Sequence, residues 1–161
     1  MTTEENLLGQ VSTSWSPENL QTLDGMLAGN PIIVITAHRS PDGDAVGSAL
    51  GLWHLLLASG ANAEVVLPDR FASFLDWMPG TDSICFHDED SRRAESKVAE
   101  ADVLFCLDFN GPNRAGNLAA AITSSKARLV MIDHHREPDD FAELAISDPT
   151  CGSTCELVCD W

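Results

Sequence analysis

"PIIVITAHRSPDGDAVGSALGL", residues 31 to 52, passes from a strand into a helix through a turn that carries His38, Asp42 and Asp44. Its first six residues form a continuous apolar, mostly β-branched run. The run is too short for a helix and apolar on both faces, as a strand buried inside a parallel sheet must be. The same kind of run returns as "AEVVL" at 63–67, "DVLFCL" at 102–107 and "RLVMI" at 128–132. Helix-like segments separate them: "DAVGSALGLWHLLLAS" at 44–59, "DSRRAESKVAE" at 90–100 and "RAGNLAAAITSS" at 114–125. This alternation predicts βαβ units, and so an α/β fold: an open parallel sheet with helices on both faces.

The flanks fit the same unit. "SPENLQTLDGMLAGN" at 16–30 predicts a helix with Ser16 as N-cap, Pro17 at the first position and Gly29 near the end. Residues 1–15 read as a polar arm ahead of a single domain over 16–161, and "HDEDSRR" at 87–93 reads as a solvated loop. "DPTCGSTCELVCDW" at 148–161 opens like a helix, with Ser153 or Thr154 near the cap and Glu156 just behind. That helix meets no C-cap before Trp161, so the sequence is expected to be truncated.

Composition narrows the function. A chain of 161 residues with 44% hydrophobic content suits one ordinary domain with a core. Twenty-five acidic residues against nine basic ones give a formal charge of −16, which repels long polyanions and argues against a duplex-wrapping DNA binder. The same acid excess, with Lys97 and Lys126 the only lysines, suits a salt-rich cytoplasm. A divalent cation would locally reverse the sign and admit a small phosphate ligand. The N-terminus lacks the features of a signal peptide, and no apolar run approaches the roughly 18 residues of a membrane span. A cytoplasmic protein without a membrane partner is therefore expected. Cys85 and Cys106 lie in strand-like contexts, while Cys151, Cys155 and Cys159 recur as one helical stripe without paired C-x-x-C hooks. All five are expected to be buried packing thiols in a reducing compartment.

In open parallel sheets ligands bind beyond the carboxyl ends of the strands. Those ends carry His38, Asp42 and Asp44, then Asp108, then Asp133, His134 and His135. Taken singly, Asp44 reads as a helix N-cap, Pro41-Asp42-Gly43 as a turn, Asp108 as a turn cap, and His134 or His135 as surface or satisfied core histidines. Taken together, three separate strands deliver Asp or His to one edge. His54, among leucines, and His87, in an acidic loop, stay outside the cluster. Carboxylates and imidazoles without thiolate suit Mn²⁺, Mg²⁺ or Fe²⁺ better than structural zinc. Two such ions sharing a carboxylate would use every ligand and suit in-line attack on phosphorus by an activated water.

His38-x3-Asp42-x-Asp44, the strand-end Asp108 and the Asp133-His134-His135 triplet resemble the first three motifs of the DHH phosphoesterase superfamily, from about residue 20 onward. "SPDGDAVGSALGL" with "GSTCELV" is most similar to its group of oligoribonucleases that also act on 3'-phosphoadenosine-5'-phosphate (pAp). The resemblance implies that His38 and Asp42 hold one ion, Asp44 and His134 the other, with Asp108 bridging. It also implies that His135 touches the substrate phosphate and that Asp133 orients the neighbouring histidines. Arg39 and Arg114 become candidate phosphate contacts. Two family features lie outside these residues: a fourth-motif aspartate on the second ion and a C-terminal substrate-binding domain. The chain is accordingly expected to be the front part of a DHH protein, with little activity alone. Expected ligands are two divalent ions, Mn²⁺ first, and a short oligoribonucleotide or pAp. Oligomeric state is left open, a homodimer included. The rival readings are a cyclic-dinucleotide phosphodiesterase, an inorganic pyrophosphatase, and a non-catalytic nucleotide-sensing module with an incomplete metal site.

Overall fold

The computed structural model describes residues 15–161. Six strands are present: β1 (Ile32–Ala37), β2 (Asn62–Leu67), β3 (Cys85–Phe86), β4 (Val103–Leu107), β5 (Arg128–Asp133) and β6 (Leu144–Ser147). They form one sheet in the order β3-β2-β1-β4-β5-β6, and every pairing is parallel. The five α-helices among the described residues are α1 (Pro17–Leu27), α2 (Gly43–Ala58), α3 (Ser91–Glu100), α4 (Ala119–Ser124) and α5 (Thr154–Cys159).

Successive side chains of a strand point to opposite faces, and the two hydrophobic clusters follow that rule. Ile33, Ile35 and Ala37 of β1 pack on one side with Leu23, Met26, Val46, Leu52 and Leu157. Val34 packs on the other with Leu104, Cys106, Val98 and Ile122. Helices α1, α2 and α5 thus cover one face, and α3 and α4 the other. Burying an aliphatic side chain of this kind contributes about 1.5–3 kcal/mol, which is why the central strands read as unbroken apolar runs. The expected open parallel sheet with helices on both faces is what the chain forms.

Ser16 caps α1 by accepting a hydrogen bond from Asn19 N, with Pro17 in the first turn. Asp90 caps α3 through Arg93 N, and Ser153 caps α5 through Glu156 N. Three details differ from the sequence reading. The helix expected over 114–125 is broken: a 3-10 segment covers Pro112–Leu118, and α4 starts only at Ala119. Gly116 sits at φ +56, where a Cβ would lie 3.1 Å from that of Arg39, so the chain must turn there without a side chain. Strand β6 was not anticipated, because its four residues alternate in burial at a sheet edge rather than forming an apolar run. Of the expected polar arm, residues 1–14 lie outside the described residues. Trp15 is buried, donates its indole N–H to Leu157 O at 2.8 Å and stacks on Trp161.

The cysteines divide as well. Cys85 and Cys106 are buried, and burial pushes both thiols up. Cys151 precedes α5, Cys155 is half-buried and Cys159 is exposed, so the three do not form a packed stripe.

Candidate metal centre at the strand ends

The carboxyl ends of β1, β4 and β5 lie side by side in the sheet, since Ala37 pairs with Leu107 and Leu107 with Ile132. The residues just beyond them must therefore meet. His38 Nε2 lies 3.3 Å from Asp108 Oδ2 and 3.8 Å from Asp42 Oδ1. His134 Nε2 lies 3.5 Å from Asp108 Oδ1 and 3.5 Å from Asp44 Oδ2. The two oxygens of Asp108 thus face two different imidazoles. His135 Nδ1 is 2.7 Å from Asp133 Oδ1 and 3.9 Å from Asp108 Oδ1.

Local structure explains how each group is aimed. Asp42, rather than Asp44, is the N-cap of α2: its Oδ1 accepts from Asp44 N and Ala45 N, both at 3.0 Å. Asp44 is spent on another helix, 110 residues away in sequence. Its Oδ2 accepts from Thr154 N and its Oδ1 from Cys155 N, each at 2.9 Å, so this acid anchors the start of α5. Burial pushes the Asp44 carboxyl up, but those two amides, the Cys155 thiol and the charge of His134 outweigh it and hold it below its ordinary value. Cys155 responds in the opposite sense: burial and the hydrogen bond to Asp44 push its thiol up to about 12.

Asp108 is buried and adopts a left-handed backbone, φ +62, uncommon for a side chain other than Gly or Asn. Its N–H donates to Ile132 O at 3.0 Å, which holds that conformation in place. Thr154 Oγ1 donates to Asp108 Oδ1 at 2.8 Å. Nothing in the sequence reading singled out Thr154 in this role. Its signals in the sequence are a place near the cap of the last helix and membership of the "GSTCELV" stretch.

The histidines share one feature. His38 Nδ1 is 2.7 Å from Arg39 O, and His134 Nδ1 is 3.4 Å from Cys151 O. A carbonyl only accepts, so each ring carries its proton on Nδ1 and turns Nε2 toward the carboxylates. Metal-ligating histidines are typically held in this way. The side-chain hydrogen bond to Asp108 raises the His38 pKa, against the effect of burial and with help from the Arg39 carbonyl.

Among the described residues, two groups of donor atoms are close enough to share a cation: His38, Asp42 and Asp108 form one, and Asp108, His134 and His135 the other. Ligands at right angles on an ion with bonds of about 2.1 Å stand about 3 Å apart, near the separations seen here. The donors are hard oxygens and imidazoles, and Asp108 belongs to both groups. Asp133 is fully buried with Oδ2 unpartnered among the described residues, so negative charge at this edge exceeds its protein donors. The residues therefore fit a pair of divalent ions. Asp44 lies outside both compact groups, with His134 its nearest imidazole.

Arg39 and Arg114 are joined at the backbone, Arg39 N to Arg114 O at 2.8 Å, and both side chains are exposed. His54 instead contacts Pro79 O, and His87 pairs with Glu95, both away from the cluster.

Residues 32–161 match the DHH family, N-terminal domain. The chain belongs to the DHH family. It is 32% identical over 129 residues to a bifunctional oligoribonuclease and PAP phosphatase, NrnA, of Thermus thermophilus, covering 80% of this chain and 35% of that protein. It is 26% identical to the cyclic-di-AMP phosphodiesterase PdeA of Listeria monocytogenes, over 86% of this chain and 22% of that protein. A crystal structure of an exopolyphosphatase-related protein from Bacteroides fragilis superposes with a TM-score of 0.87 at 40% identity, covering 89% of this chain and 42% of that one. The chain thus spans between about a fifth and two fifths of the length of these DHH relatives. No helix among the described residues is long and apolar enough to cross a membrane.

Proposed function

We propose that this DHH chain is the metal-binding part of a phosphoesterase that hydrolyses short oligoribonucleotides and pAp with two divalent ions, Mn²⁺ being the expected metal. One observation carries the reading: the oxygens of the buried Asp108 carboxylate face separate donor groups, His38 with Asp42 and His134 with its neighbours. A carboxylate that caps a turn has no need of two imidazole partners.

His38, Asp42 and Asp108 would hold one ion, and Asp108, His134 and Asp44 the other. When bound, such ions supply an activated water near neutral pH and a clamp for the phosphate oxygens. The rest is the work of the protein. His135 donates from Nδ1 to Asp133, which fixes the ring, and the cationic form of the ring would also donate from Nε2 to a phosphate oxygen. Arg39 and Arg114 carry guanidinium groups without an ion-pair partner among the described residues, and they flank the loop of Asp108. They would meet the remaining phosphate charge by paired hydrogen bonds. A net charge of −16 disfavours duplex DNA and leaves a short, few-phosphate substrate as the better fit.

The similarity to a cyclic-di-AMP phosphodiesterase supports a second reading with the same metal chemistry. A hydrolysis assay on the whole protein with Mn²⁺, read by chromatography of the nucleotide products together with released phosphate, separates them, offering pAp, a ribodinucleotide, cyclic di-AMP and pyrophosphate in turn. We expect pAp and the dinucleotide to turn over fastest, and chelation by EDTA to abolish all activity. Preferred turnover of cyclic di-AMP or pyrophosphate overturns the substrate assignment. Activity indifferent to EDTA overturns the metal one.

A further inference from the structure

The position of the Asp108 carboxylate poses a question that its backbone does not answer. The amide bond to Ile132 O fixes the main chain, but the carboxylate can still turn about two side-chain bonds. A bridging role needs Oδ2 toward His38 and Oδ1 toward His134 at the same time. The imidazole contacts at 3.3 and 3.5 Å are loose for hydrogen bonds. Among the described residues, the one contact of Asp108's side chain at ordinary hydrogen-bond length is the Thr154 hydroxyl, 2.8 Å from Oδ1.

Thr154 is well placed to act as a fixed post. It is fully buried, β-branched and stiff at χ1, and it is the first residue of α5. That helix is tied down on three sides. Asp44 accepts the Thr154 and Cys155 amides, and the Trp15 indole holds Leu157 O. Gly47 of α2 is the third tie, since a Cβ there would come within 3.0 Å of Cys155 Sγ, so α5 and α2 pack at close range. The Thr154 hydroxyl proton is committed to Oδ1, and the second lone-pair direction of that oxygen is left for the His134 side.

We propose that Thr154 is a positioning residue: its hydroxyl sets the orientation of the Asp108 carboxylate and thereby the strength of the cation site on the Oδ1 side, shared with His134. This rests on the two-ion reading of the DHH site. Losing the hydroxyl leaves Oδ1 short of its donor and lets the carboxylate rotate, so the Oδ1 side weakens more than the His38–Asp42 side. Groups that orient metal ligands are typically worth ~10- to 100-fold in affinity.

The test is Mn²⁺ titration of the whole protein by calorimetry and electron paramagnetic resonance, with near-ultraviolet circular dichroism of the tryptophans as the report on α5 docking. T154V keeps the shape and removes the donor. T154A asks the same question should valine not fold, and T154S restores the hydroxyl. We expect two Mn²⁺ in the parent, one of them weakened ~10- to 100-fold in T154V and T154A, recovery to within about threefold in T154S, and unchanged tryptophan spectra. Parent-like binding of both ions by T154V overturns the proposal. So does equal weakening of both ions with altered tryptophan spectra, or a serine variant as impaired as valine. A parent protein that binds no Mn²⁺ overturns the two-ion reading itself, and is distinguishable because it shows before any variant is made.

Discussion

Strand β4 carries an aspartate at each end, and the two are used in opposite ways. Asp102, just before the strand, is exposed and held by backbone: Oδ2 accepts from Ile32 N at 2.8 Å, its N–H donates to Ile32 O, and its carbonyl accepts from Arg128 N. It ties the amino ends of β1, β4 and β5 together. Asp108, just after the strand, is buried and left-handed, and its carboxylate meets two imidazoles and a hydroxyl instead of backbone amides. The same residue type, six positions apart, meets backbone at one edge of the sheet and side chains at the other. The difference lies in the partners: a strand amide holds the Asp102 carboxylate, whereas imidazoles crowd both oxygens of Asp108.

The sharpest test of that contrast is Asp108→Asn. We expect a fall in kcat/KM of roughly 10³-fold or more in the whole enzyme, with Mn²⁺ lost from both sites, since one carboxylate serves both. Urea unfolding of the metal-free protein should move by no more than ~1 kcal/mol. The same substitution should alter the pH response. The His38 pKa is raised in the fold, so its pairing contributes stability that is fully present below about 6.5 and lost as the pH rises through the raised value. Metal-free Asp108→Asn should lose that dependence. A mild activity loss with a large stability loss would make Asp108 a second Asp102.

A smaller effect is expected from Arg114→Ala. It should raise KM by about tenfold with kcat nearly intact, measured on pAp, because an exposed arginine contributes binding rather than ion placement. Losses equal to those of Asp108→Asn would place the arginine in the metal machinery.

Smallest in activity is Asp102→Ala. We expect about 0.5–1.5 kcal/mol of lost stability from the broken hydrogen bond to Ile32 N, and steady-state rates within about twofold of the parent. A larger rate effect without a stability effect would show that the amino edge communicates with the site.

Much of this arrangement was legible in the residues. The four apolar runs mark β1, β2, β4 and β5, and parallel connection places the ends of β1, β4 and β5 at one edge. His38, Asp108 and His134 could therefore be grouped before any coordinate. The miss at 114–125 has a local cause, since Gly116 sits within an otherwise good helical pattern and only the neighbouring Arg39 shows why the turn is there. Strand β6 escaped because an edge strand needs few apolar residues. Asp44 reads singly as the cap of its own helix and jointly with its neighbours as a cation ligand, and neither reading points to α5. Its actual partners are Thr154 and Cys155.

The sequence by itself determined the sheet, the edge and the ligand types, because burial and handed crossovers act on every residue of a strand or helix and leave a periodic trace. Only the tertiary structure decided which oxygen of Asp108 faces which imidazole, that Asp42 rather than Asp44 caps α2, and that Thr154 reaches Asp108. Those choices rest on single hydrogen bonds between residues as many as 46 and 111 positions apart. One bond at one position makes no repeat along the chain, and its directional geometry exists only once the helices have packed on the sheet.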